Sequence, residues 1–191
     1  MAIADDNVLV KDYHGRIGGL ILRVVAGKTI ASVVPDYKNR KWSKAQKANR
    51  VRFGKGVKYA KKSFRNPELV QYYQSKAKPG QTKWNIAISD FMVKPKIGEV
   101  DTGKYKGRKG DTIRIKAHDK YKVAAVIVTI INALGFEVEK GMATEMQFSG
   151  SGEWIYKTKE TNRNYRGGRI DIRVTDSPGN EARYVCLFGS P

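Results

Sequence analysis

Gly168-Arg169-Ile170-Asp171-Ile172-Arg173-Val174-Thr175-Asp176-Ser177-Pro178-Gly179-Asn180 is the stretch on which the fold turns. Ile170, Ile172 and Val174 alternate with Asp171 and Arg173. A period of two puts the apolar side chains on one face of a strand and the charges on the other. Pro178-Gly179-Asn180 then supplies a turn, and 184–188 follows as a further apolar strand. The same rhythm recurs toward the N-terminus. Ile113, Ile115 and Ala117 alternate with Arg114 and Lys116, Phe136 and Val138 alternate with Glu137 and Glu139, and Trp154 and Tyr156 flank Ile155. Glycine-rich turn signals at 107–110, 134–135, 150–152 and 167–168 separate these segments. Six or seven short strands in about 90 residues predict an all-β sandwich. It occupies 97–191 and is clearest over 101–188.

Upstream of Pro95 the period becomes helical. Ser43 followed by Gln46 fits a capping box, in which each side chain satisfies the other residue's amide. Ala45, Ala48, Val51 and Phe53 give an apolar stripe, continued by Val57, Ala60 and Phe64. Gly54 and Gly56 interrupt it, each at a cost of about 1 kcal/mol relative to Ala, so the segment is expected as two helices or one kinked helix. Asn66-Pro67-Glu68 is a second helix start, with Asn as N-cap and Pro in the first turn. Trp84, Ile86, Ala87, Ile88, Phe91 and Met92 space a third helix. Before all of these, the β-branched run 18–25, a turn at 26–28 and the run 29–34 predict a β-hairpin. The expected class is therefore α+β: an N-terminal hairpin plus short helices over 1–96, then the sandwich over 97–191.

The segment Gly152-Glu153-Trp154-Ile155-Tyr156-Lys157-Thr158, taken with the opening stretch, resembles bacterial immunoglobulin-like modules. Those carry a Trp-x-Tyr strand, then an alternating strand that ends in Asp, then a Gly-Asn turn. The resemblance covers roughly 97–188. It implies an immunoglobulin-like sandwich and a role in adhesion, spacing or virion decoration, by analogy of fold alone. The chain departs from the family pattern in carrying one module rather than a tandem array, and no export signal. Gly15 to Lys28, Ser43 to Gln46 and Ala87 to Phe91 resemble uncharacterised bacterial proteins in which a Gly-rich hairpin precedes a Ser-x-x-Gln helix, a likeness that implies no named activity.

The composition removes several functional classes. With only His14, His118 and Cys186 as soft ligands, no zinc-type site can be assembled at recognisable spacing. Cys186 lies between Val185 and Leu187 and is expected as a small buried hydrophobe. No disulfide can form within the chain. Gly15 to Gly19 and Gly54-Lys55-Gly56 do not match a phosphate-binding loop. No pair of acid/base groups at catalytic spacing stands out, so no catalytic residue, metal or cofactor is assigned. Asp101, Asp111, Asp119, Asp176 and Asn180 fall near predicted loops, where they either converge on calcium or cap turns; capping is the favoured reading. The start lacks the features of a signal peptide, and the longest apolar run, Val123–Ile131, is too short to span a bilayer. A cytoplasmic protein is expected, with a virion or exported assembly left open.

What remains is charge. The formal net charge is +19, and 38–65 holds 12 basic residues and no acidic one. Arg40, Lys41, Lys44, Lys47, Arg50, Arg52, Lys55, Lys58, Lys61, Lys62 and Arg65 decorate the predicted helix, with Tyr37, Trp42 and Tyr59 interleaved. Such a segment can neutralise phosphates and stack on bases. It can equally pair with an acidic neighbouring subunit or remain a solvated face. The expected function is a non-catalytic binding or scaffold protein that engages a polyanion, above all nucleic acid, without sequence specificity. The alternative is a structural subunit of a filament, virion or large assembly, held by strand addition and charge pairing.

Overall fold

The fold was analysed in a computed structural model, which describes residues 2–3, 10, 12–25, 27–146 and 152–188. Ala26 of the expected hairpin turn and Gly150-Ser151 of the expected turn lie outside the described residues, as does most of the chain's start, on which the signal-peptide reading rests. The chain forms two compact units, one comprising 1–51 with 78–81 and the other 52–77 with 82–191. The boundary expected at 96/97 falls inside the second unit.

In the first unit the expected hairpin is present as β3 (Leu20–Val25) and β4 (Lys28–Val33), paired from Leu20↔Val33 to Val25↔Lys28. Two short strands flank it, β1 (Ala2–Ile3) beside β4 and β2 (Gly15–Ile17) beside β3, giving the antiparallel order β1-β4-β3-β2. Gly18 sits at φ +58° in the β2–β3 turn, a conformation that costs glycine nothing. The register puts Ile17, Leu20, Leu22, Val24, Thr29, Ala31 and Val33 on one face. Leu22 and Thr29 are buried, whereas Ile17, Leu20, Val24 and Val33 are exposed.

Helix α1 runs over Lys44–Ser63. Its start is the expected capping box: Gln46 N–H donates to Ser43 Oγ at 3.2 Å, and Ser43 N–H donates to Gln46 Oε1 at 3.0 Å. Gly54 and Gly56 do not divide it. Gly56 is buried, and a Cβ there would lie 3.2 Å from the Phe91 ring, so close ring packing offsets the backbone cost of glycine. Helix α2 (Pro67–Ser75) is capped by Asn66, whose side chain accepts from Glu68 N–H, and α3 (Lys83–Met92) by Thr82. Ala60, Tyr73, Ile86, Ala87 and Ile88 form the core of the helical part of the second unit, with Tyr59, Phe64, Trp84 and Tyr121 packed on it.

The rest of the second unit is a two-sheet antiparallel sandwich. Its strands are β5 (Lys96–Asp101), β6 (Thr112–His118), β7 (Val123–Ile131), β8 (Glu137–Met142), β9 (Thr144–Glu145), β10 (Glu153–Lys157), β11 (Arg169–Asp176) and β12 (Glu181–Leu187). One sheet has the order β5-β6-β10-β9 and the other β12-β11-β7-β8. The alternating residues meet between them: Ile113, Ile115, Val126, Val128, Ile130, Tyr156, Ile170, Ile172 and Val174 are all fully buried.

Two details differ from the sequence expectation. At β8 a glutamate is buried: Glu139 is 8% exposed, whereas Glu137 is exposed, Val138 is half-buried against the core and Phe136, just before the strand, is 67% exposed. The register slips between Ile130 and Ile131, pairing Ile130 with Glu139 and Ile131 with Glu137, so the bulge at Val138 buries Glu139 while Glu137 stays exposed. The Glu139 carboxylate is held there by Tyr156 Oη–H and Lys159 N–H. Cys186 is only half-buried, because β12 is an edge strand with one flank open.

Candidate polyanion-binding site

Helix geometry decides how the basic residues of α1 are displayed. With Lys44 as origin, Lys55 and Lys62 fall within about 20°, Lys58 and Lys47 at about 40° and 60° to one side, and Lys61 and Arg50 at about 100° and 120° on that side. The buried Gly56, Ala60 and Ser63 lie across the helix, at about 100–160° in the other direction. Arg52 sits near the edge of that inner face. It is half-buried, and its Nη2 has no hydrogen-bond partner among the described residues. The other candidates, Arg40, Lys41, Lys44, Lys47, Arg50, Lys55, Lys58, Lys61, Lys62 and Arg65, are exposed. None of them is in an ion pair with a described residue.

This arrangement works against the isolated helix. Lys44/Lys47, Lys47/Arg50, Lys55/Lys58, Lys58/Lys61 and Lys58/Lys62 are like charges at i,i+3 or i,i+4, each destabilising by about 0.2–0.5 kcal/mol. No acidic residue occupies the first turn to complement the dipole, although Lys61 and Lys62 do so at the last.

The three aromatic candidates take different positions. Trp42 is half-buried and carries two guanidinium groups over its ring, Arg40 Cζ at 4.2 Å and Arg50 Cζ at 4.6 Å from the centroid. It holds two arginines in place rather than offering an open stacking face, and sequence spacing does not show this. Tyr37 is 58% exposed, with Arg40 Cζ 5.7 Å from its ring. Tyr59 belongs to the helical core: its ring packs on Phe91 and its hydroxyl lies 2.7 Å from that of Tyr73. It is not available for stacking. Val51 and Phe53, assigned to the core stripe by spacing, are 62% and 51% exposed.

The carboxylates singled out as calcium candidates separate. Asp101 caps its own turn through Gly103 N–H, and Asp111 accepts from Lys106 N–H and Arg108 N–H. Asp119, Asp176 and Asn180 come together, and they are joined by Asp90, which the sequence had hidden within the apolar spacing of α3.

The fold thus defines an α+β protein with a sandwich-like β-rich body, and among the described residues no helix is long and apolar enough to cross a membrane. No protein-family model matches the chain, and no match was found among curated proteins or solved structures.

Proposed function

We propose that the protein is a non-catalytic binding protein whose α1 surface engages a polyanion, nucleic acid being the polyanion whose charge and aromatic faces fit it. The observation that carries this reading is the exposed arc of like charge on α1, self-repelling and without an ion-pair partner among the described residues, with the arginines at Trp42 beside it in sequence. A phosphate backbone would relieve the repulsion and release its own counterions. No base-reading arrangement accompanies the arc, so binding is without sequence specificity. Fluorescence anisotropy with duplex and single-stranded DNA or RNA over a salt series tests it. Micromolar or tighter binding at about 50 mM salt is expected, weakening steeply as salt rises; no binding at that salt sinks the reading.

A second reading, a structural subunit of a larger assembly, is favoured by one observation. The face of the first sheet leaves Ile17, Leu20, Val24 and Val33 between 40% and 75% exposed. Exposed apolar faces mark association surfaces. Light scattering at high concentration separates the readings: a strict monomer counts against assembly. The immunoglobulin-like reading of the sandwich is supported by its strand order. If β5 to β12 are lettered A, B, C, C′, D, E, F and G, the sheets read A-B-E-D and G-F-C-C′. A spacer or display role for this part would accompany either function.

A further inference from the structure

Three carboxylates from separate parts of the second unit converge below its surface. Asp90 comes from α3, Asp119 from the β6–β7 turn and Asp176 from the end of β11. One oxygen from each lies within 4.8 Å of the other two. Asp90 and Asp176 are 1% and 3% exposed. No Lys or Arg among the described residues pairs with any of the three, and nearby Lys120 donates instead to Ser89 Oγ.

The protein satisfies only part of this oxygen set. Tyr73 Oη–H donates to Asp90 Oδ2 at 2.7 Å, Tyr121 N–H to Asp119 Oδ2, Asn180 N–H to Asp176 Oδ1 and Asn180 Nδ2 to Asp176 Oδ2. Asp90 Oδ1 and Asp119 Oδ1 are buried with no hydrogen-bond partner among the described residues, and so is the Tyr72 hydroxyl. Burial drives the Tyr72 hydroxyl up to about 12, reinforced by the charges of Asp90 and Asp119, so it stays protonated beside them. A buried carboxylate oxygen without a partner is costly, and several together cost more. A hard cation would satisfy these oxygens together.

We propose that Asp90, Asp119 and Asp176 bind a divalent cation of the Ca2+ class. The geometry suits it: Ca2+ sits about 2.3–2.6 Å from its oxygens, so two of its ligands stand at most about 5 Å apart. The donor set, all oxygen without imidazole or thiolate, selects a hard ion. The backbone carbonyls of Phe91 and Val93, now shared with Asn180 Nδ2, border the same site. The ion would tie the end of α3 to two turns of the sandwich, joining the helical core to the β-rich part within this unit.

The test uses the full chain, stripped with a chelator and then titrated calorimetrically with CaCl2. Thermal unfolding is compared in CaCl2, MgCl2 and NaCl of matched ionic strength. Tb3+ emission excited through tyrosine gives a local readout, since Tyr72 and Tyr73 adjoin the carboxylates. One Ca2+ per chain, a raised melting temperature and Tb3+ emission displaced by Ca2+ are expected. Asp119→Asn, on a turn where misfolding is least expected, should weaken Ca2+ at least about tenfold, while Glu160→Gln at an exposed position leaves it unchanged. The proposal is overturned if Ca2+ gives no heat and no shift beyond that of NaCl, or if Asp119→Asn binds Ca2+ as the unaltered chain does. It is also overturned if the unaltered chain ignores Ca2+ while Asp90→Asn is the more stable protein, for then the carboxylates share a proton. None of these results bears on polyanion binding by α1.

Discussion

Asp90 shows most clearly how one side chain couples burial to chemistry. Desolvation raises its carboxyl to about 6; Tyr73 opposes by donating a hydrogen bond, and Asp119 and Asp176 push further in the same direction as burial. Tyr73 donates its single proton to Asp90, so Tyr59 must donate to Tyr73, and the pair forms a short relay into the helical core. A carboxyl raised in the folded state holds its proton there over a range where the unfolded chain has lost it. Its contribution to stability is therefore present at low pH and lost as pH rises through about 6. In chelator, the melting temperature should fall between pH 4 and 6, by the equivalent of about 1–3 kcal/mol, and Asp90→Asn should flatten that slope. Backbone conformation is tested at Gly107. It lies at φ +76°, and a Cβ would overlap the Asn162 carbonyl oxygen and the Tyr165 ring. Gly107→Ala should lose about 1–3 kcal/mol in urea unfolding, whereas alanine at Gly54, which faces open space at an ordinary φ, should stabilise α1 slightly.

Among the elements, α1 carries the most consequence. Its two ends are fixed by different means: a reciprocal side-chain box at Ser43 and Gln46, and core packing of Ala60 and Ser63 near the C-terminus. Ser43→Ala should cost about 0.5–2 kcal/mol of helix stability, and amide exchange at Gln46 should rise before that at Ala60. The charged arc gives a sharper outcome. Replacing Lys47, Lys55, Lys58 and Lys62 together by Gln removes like-charge neighbours without touching the core. The melting temperature should hold or rise slightly, because each repulsive pair relieved gains about 0.2–0.5 kcal/mol. Nucleic-acid affinity should fall, and the salt slope should flatten by up to about 3–4 units as those phosphate contacts are lost. A change in stability without a change in binding would assign the arc to solvation alone. On β8, the bulge that turns Glu139 inward makes this strand a polar participant in the core, supported by Tyr156 and Lys159.

For the whole molecule, the net charge of +19 governs association more than fold. Binding to a polyanion should be fast and salt-sensitive, and the chain should be least self-associating at low salt, where its charge repels other copies. If the first sheet's apolar face is an assembly surface, rising salt should strengthen self-association while weakening nucleic-acid binding. Sedimentation over the same salt series used for anisotropy would separate the two, since their dependence on screening has opposite sign.

The strands β6, β10 and β11, the starts of α1 and α2, the third helix and the hairpin were legible because each depends on local rules: alternation, helical spacing, capping and turn chemistry act within a few residues. The α+β class and the basic arc of α1 followed from the same short-range patterns. The rest needed distant residues to meet. Gly54 and Gly56 forecast a break by propensity, but the Phe91 ring, far along the chain, makes Gly56 a packing site and keeps α1 whole. Tyr59 has the spacing of an exposed aromatic, yet Tyr73 and Phe91 draw it into the core. A bulge between β7 and β8 turns Glu139 inward while Glu137 stays exposed, a choice set by pairing across the sheet. The carboxylates of Asp90, Asp119 and Asp176 are separated by several strands in the chain. Only packing of α3 at the sandwich turns brings them within reach of one ion.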